Sequence, residues 1–242
     1  MEKPIALNTA QAQEIADRAT TRGVFCAEAL WTFFLPRYDV IRQLLEAEVL
    51  GDVHTVIADN GEWLPPTHRI FRHDLAGGPL LDLGTYPIAL TSWVLGAPEQ
   101  VTAIGQDVPG GEVNGQVSAL LRHPGGGQSV ISTTIMADTP TRAILAGTRA
   151  TLEIEGPFYT PGDLVLTAAG RSSTLRWTEP AIEHRALYVT AVEAARRIGA
   201  GETTTPLRPL ADSVATLRVI DKVRRQLGIT FAEESPPGVP RG

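Results

Sequence analysis

Asp82 and Tyr86 stand four residues apart within Gly77-Gly78-Pro79-Leu80-Leu81-Asp82-Leu83-Gly84-Thr85-Tyr86-Pro87. On a helix that spacing puts both side chains on one face, with Cβ atoms roughly 5–6 Å apart. An acid and a phenol so placed are candidates for moving a proton to or from a hydroxyl group. The Gly77-Gly78 pair ahead of them lets a loop pass close to a ligand and turn sharply into the helix. The same stretch also reads as an ordinary buried helix, because Leu80, Leu81, Leu83, Ile88 and Leu90 surround the pair and an acid in the first turn suits the helix dipole. Spacing alone leaves both readings standing.

Other polar residues are less specific. Arg69 and Arg72 lie in the loop before Gly77, where they can meet a polar substrate. His68, His73 and Asp74 nearby fit no ligand spacing of known type, so no metal is expected. Cys26 is the only cysteine. An internal disulfide is thereby excluded, and the apolar neighbours Val24, Phe25 and Ala27 favour a buried thiol over a nucleophile.

The elements that must position these residues follow from periodicity and punctuation. Asn8 caps a helix that Gly23 stops, and the apolar run Val24 to Trp31 reads as a strand, together resembling the closing unit of a parallel α/β sheet. Pro36 opens a helix with a stripe of Val40, Ile41, Leu44, Leu45 and Val49, ending at Gly51. A strand over Val53–Asp59 is followed by an irregular loop from Gly61 to Asp74, where Pro65-Pro66 forbids regular structure. The helix carrying Asp82 and Tyr86 is expected to run unbroken to about Leu95. From Gln100 to Trp177 the signals are mostly β, with a hairpin of Gln116–His123 and Gln128–Met136 through Pro124-Gly125-Gly126-Gly127 and further strands at Thr141–Leu145, Ala150–Glu155, Leu164–Ala168 and Ser173–Trp177. Helices over about Ile182–Ile198 and Leu210–Leu227 follow, and an acidic, proline-rich tail from Glu233 to Gly242 is expected to be disordered.

Composition bounds the function. The chain has 242 residues, 43% hydrophobic and 20% charged, with a net charge of -6 and no basic stripe or polybasic segment. Nucleic acid and membrane surfaces are therefore not expected partners, and a cytoplasmic location is expected from the absence of an 18-residue apolar run or a secretory leader.

The residues Glu2-Lys3-Pro4, the segment Trp31-Thr32-Phe33-Phe34-Leu35-Pro36, the Gly77–Pro87 stretch and Leu217-Arg218-Val219-Ile220-Asp221 together resemble the Gfo/Idh/MocA family of NAD(P)-dependent oxidoreductases, nearest to its dimeric dihydrodiol and D-xylose dehydrogenases. That resemblance implies an α+β fold: a large, mostly antiparallel open sheet with helices on one face, preceded by a remnant of a Rossmann α/β domain. Residues 1–35 correspond to the remnant, 36–232 to the substrate and dimerisation domain, and 233–242 to the tail. The glycine-rich turn that seats the dinucleotide, on the order of 100 residues of domain, would lie upstream of residue 1. Gly125-Gly126-Gly127 does not replace it, since it joins two strands and lacks a helix N-terminus for a pyrophosphate.

By the same resemblance Tyr86 is the acid/base of a hydride transfer between nicotinamide, of NAD or NADP, and a sugar, polyol or diol carbon. Lys3 lowers the phenol's pKa, and Asp82 holds the substrate hydroxyl or orients Lys3. Glu2, Lys3 and Pro4 meet the cofactor, and Trp31, Arg69 and Arg72 meet the substrate. Trp31 reads equally as a core aromatic, and Lys3 as a solvated terminal lysine. An arginine is common in the family where Phe33 stands, and an aromatic where Asn60 stands, so substrate contacts differ. With its cofactor seat upstream, the chain alone is expected to be inactive. The family's sheet packs against a second subunit, so a homodimer is expected, the strand Val117-Ser118-Ala119-Leu120-Leu121 supplying such a face. The alternative is a non-catalytic dimerisation or sugar-sensing module that retains only the open sheet.

Overall fold

The computed structural model of the chain describes residues 1–171, 173–179 and 186–232. Among the described residues eight strands form one sheet: β1 (Val53–Gly61), β2 (Gln100–Asp107), β3 (Asn114–Arg122), β4 (Gln128–Thr134), β5 (Ala143–Gly147), β6 (Ala150–Ile154), β7 (Leu164–Ala168) and β8 (Thr174–Trp177). Their spatial order is β2-β3-β4-β1-β5-β6-β7-β8. Only β1 and β4 run parallel; the other neighbours are antiparallel. Strands that follow each other through short turns pair antiparallel, whereas the distant pair β1 and β4 needs the long connection that carries the candidate site.

Among the described residues six α-helices pack with the sheet: α1 (Thr9–Arg22), α2 (Pro36–Glu46), α3 (Pro79–Asp82), α4 (Thr85–Leu95), α5 (Tyr188–Gly199) and α6 (Leu210–Leu227). Side chains alternate across a strand, so each strand offers one set to the helices and one to the other face. Val56, Ala58 and Asn60 of β1, Val117, Ala119 and Leu121 of β3, and Ile131 of β4 are buried on the helical side. There α4 lies over β1, and α6 packs on α4, β2 and α1. Residues Thr85 to Thr91 of α4 are all buried, as befits a helix that is apolar around most of its circumference. On the opposite face Ile57, Ile104, Leu120 and Val130 are exposed. Leu120, Val130 and Ile57 are direct partners across β3, β4 and β1. From the strand 117–121, Ser118 and Leu120 therefore face outward, and Val117, Ala119 and Leu121 face the helices.

Several expectations are corrected. Residues 24–30 form no strand; the segment is extended, its backbone bonding Met1 and Thr203, and Trp31–Phe34 is a 3-10 turn. The helix from Pro36 stops at Glu46, and the chain turns through left-handed Glu48 and Gly51. Cys26 is half-buried rather than buried. The single helix over 82–95 is two helices. The start of the helix expected over Ile182–Ile198 and the tail 233–242 lie outside the described residues. Among the described residues no helix is long and apolar enough to cross a membrane.

Candidate active site

The break between α3 and α4 has a covalent cause. Pro87 has no N–H, so the carbonyl of Leu83 lacks its helical donor four residues on. Asn60 Nδ2 supplies one from β1 instead, at 3.0 Å. The N–H groups of Leu83 and Gly84 both donate to Pro79 O at 2.8 Å, the second bond spanning five residues and so widening the turn. Asp82 thus closes one helix and Tyr86 opens the next. Upstream, Gly78 sits at φ +103°, and a Cβ on Gly77 would lie 2.4 Å from Ile70 O. Both positions need glycine for the loop's own packing.

Lys3 contacts both Asp82 and Tyr86. Its Nζ donates to Asp82 O at 2.9 Å and forms a close ion pair with Asp82 Oδ1. It also lies 4.8 Å from the centroid of the Tyr86 ring. Arg69 Nη2 stands 3.7 Å from Asp82 Oδ2, so each carboxylate oxygen has a cation. Trp31 Nε1 donates to the Tyr86 hydroxyl at 3.4 Å, and Tyr159 stacks on the Tyr86 ring with centroids 4.5 Å apart. Lys3, Asp82, Tyr86, Trp31 and Arg69 are therefore brought together.

Arg72 and Glu2 are not part of this cluster: Arg72 pairs with exposed Asp74, and the Glu2 side chain is exposed. Phe33 lies in the core against Tyr38 and Trp93. Among the described residues no group of three His, Cys, Asp or Glu side chains comes together as a metal site.

Burial is the main cause that pushes Tyr86 up to about 12, the Trp31 hydrogen bond opposes it, and the Asp82 charge adds to it. Lys3 Nζ lies 4.8 Å from the ring centroid, and burial is the larger influence on the phenol. At neutral pH Tyr86 is a protonated donor.

Sequence reasoning missed Tyr159 and the role of Asn60. Tyr159 sits in the loop between β6 and β7, far from residue 86 in sequence, with no spacing to tie the two. The signal for Asn60 was present: a polar residue at an inward strand position needs a buried partner.

A cleft of about 570 Å³ opens beside Lys3 and Asp82, lined also by Pro4, Arg69, Gly77 and Gly78. The residues present suit one end of a dinucleotide only. Lys3 and Pro4 on the cleft wall can meet a nicotinamide ribose. The first turn of α1 offers no pyrophosphate cradle: it is occupied by the Asp221 carboxylate, which accepts from Thr9 N–H at 2.9 Å and would repel an anion.

Residues 38–153 match the model of the GFO/IDH/MocA C-terminal domain. Trans-1,2-dihydrobenzene-1,2-diol dehydrogenase of Xenopus tropicalis is 32% identical over 235 residues, 95% of this chain and 71% of that protein. The Sus scrofa enzyme of the same name is 31% identical over 96% of this chain and 71% of its own length. Among solved structures, a 3-ketoreductase from Actinomadura kijaniata in complex with NADP and TDP-benzene superposes with a TM-score of 0.80 at 22% identity, over 93% of this chain and 69% of that one. An aldose-aldose oxidoreductase from Caulobacter crescentus complexed with glycerol gives 0.80 at 21% identity, over 93% and 68%.

Proposed function

The chain belongs to the Gfo/Idh/MocA family of oxidoreductases, and from that premise we propose that it forms the substrate side of an NAD(P)-dependent dehydrogenase acting on a sugar, polyol or diol. The observation that carries this reading is the contact of one ammonium, Lys3, with both the Asp82 carboxylate and the Tyr86 ring. NAD or NADP, when bound, supplies the hydride. The chain's own residues hold the substrate and handle the proton.

Tyr86, protonated and buried, donates its proton to the substrate oxygen as a carbonyl becomes an alcohol. Trp31 donates to the phenol oxygen, which leaves the phenol hydrogen free to point at substrate and stabilises the phenolate left behind. Asp82 holds Lys3 in place, and with Arg69 it offers donors and an acceptor to vicinal hydroxyls. Tyr159 and Trp31 form an aromatic wall suited to the apolar face of a sugar or a cyclic diol. In the oxidative direction Tyr86 must take the proton, and its high pKa favours reduction unless a further cation approaches.

The domain reading continues from this: residues 1–35 complete a dinucleotide-binding domain, and 36–232 carry substrate and dimer contacts. Mixing this chain with NADP and xylose or a cyclic diol should give no turnover, while a form carrying the dinucleotide-binding segment should turn over; robust turnover by the chain alone, or none by the longer form, counts against the proposal. A second reading, a non-catalytic assembly or sugar-sensing module, is favoured by the exposed apolar row on the sheet. Both readings share a homodimer through that face.

A further inference from the structure

We propose that Glu28 is a positioning residue for Lys3, an inference that rests on the reading of Lys3 as part of the site. Residues 1–5 are held at both ends by one position of the facing segment. The Met1 ammonium donates to Ala27 O at 2.8 Å, and Ala29 N–H donates to Met1 O at 2.7 Å. These two bonds are the repeating unit of a parallel ladder, centred on Glu28. At the other end Ile5 N–H donates to Glu28 Oε1 at 3.1 Å. Lys3 is the apex of a short span whose ends both close on Glu28.

The second carboxylate oxygen is anchored in α6 and the turn before it. Glu28 Oε2 accepts from Arg208 Nε at 3.2 Å, from Arg208 Nη2 at 3.1 Å and from Ser213 Oγ at 2.6 Å. Arg208 Nη2 also donates to Thr216 Oγ1 at 2.9 Å, and its guanidinium lies 5.1 Å from the Phe33 ring centroid. Glu28 is 1% and Arg208 2% exposed. A buried ion pair is a poor source of net stability, since desolvation offsets most of its attraction, but it strongly specifies geometry because neither partner tolerates losing the other. Three residues after Glu28 the chain reaches Trp31, so one carboxylate sets the position of Lys3 relative to the indole that caps Tyr86. Glu28 acts through Lys3.

Lys3 and Lys222 are the only lysines. Lysine-selective carbon-13 labelling of the full chain therefore gives two side-chain signals, Lys222 serving as the internal reference. With Lys3 Nζ 4.8 Å from the Tyr86 centroid, the ring current displaces the Lys3 ε-methylene signal upfield of its position in the denatured chain. In Glu28→Gln, which cannot accept from both Ile5 and Arg208, that displacement should be lost while Lys222 stays in place. Should Glu28→Gln fail to fold, Ser213→Ala, which removes a single donor, decides: a smaller move of Lys3 in the same direction supports the proposal. A Lys3 signal unmoved in a folded variant overturns it, whatever the fall in melting temperature. Absence of the upfield displacement in the unsubstituted protein would instead remove the Lys3–Tyr86 contact, and the site reading with it.

Discussion

Tyr86 concentrates the chemistry of the site in one oxygen. Its ordinary pKa of 10.0 rises to about 12 on burial, and Tyr159 beside it also rises to about 12 for the same reason. The folded protein holds these two protons more tightly than the unfolded chain does. Their contribution to stability is thus complete below about pH 10 and lost as pH rises through about 12. Chemical denaturation at stepwise alkaline pH should show stability falling across that window. Trp31→Phe removes the hydrogen bond that lowers the phenol's pKa, so an absorbance titration of tyrosinate should find Tyr86 ionising at still higher pH than in the parent protein.

At the scale of elements, the site depends on a helix that fails at a chosen place. Asn60→Ala leaves the Leu83 carbonyl without a donor, which should cost about 1–3 kcal/mol in denaturant unfolding and disturb both Asp82 and Tyr86. Gly77→Ala drives a methyl into Ile70 O and should cost about 1–3 kcal/mol by overpacking. Much of this layer was legible in sequence. The hairpin through Gly125-Gly126, the Asn8 cap and the apolar stripe of α6 each rest on local rules, and each formed. The break at Leu83-Gly84 did not come through, although Pro87 was in plain view, because four leucines and an isoleucine kept the helical pattern alive across it. Residues 24–30 misled for a related reason: an apolar run meets the requirement for burial, yet a strand also needs partners that only tertiary structure supplies. Asp82 and Tyr86 were found from spacing, but the contact that links them runs through Lys3 from the chain's other end. Tyr159, Glu28 and Arg208 join the site's surroundings through contacts distant in sequence, which no periodicity reports.

For the whole molecule, the sheet divides the labour. Its helical face carries the site, and its open face carries Leu120, Val130 and Ile57 in a continuous row with Ile104 exposed nearby. Apolar rows of this kind are uncommon on a monomer's surface. Sedimentation velocity should give a dimer for the parent chain, and Leu120→Lys should convert it to a monomer; a parent chain that is monomeric at all concentrations would remove the face-to-face assembly. The site itself is tested most directly by turnover in a form of the protein that includes its dinucleotide-binding segment, comparing Tyr86→Phe with the parent on a sugar or cyclic diol. Loss of the proton donor should lower kcat by about 10²–10⁴-fold with KM little changed. A kcat equal to the parent's would contradict the assignment of Tyr86 as the residue that moves the proton.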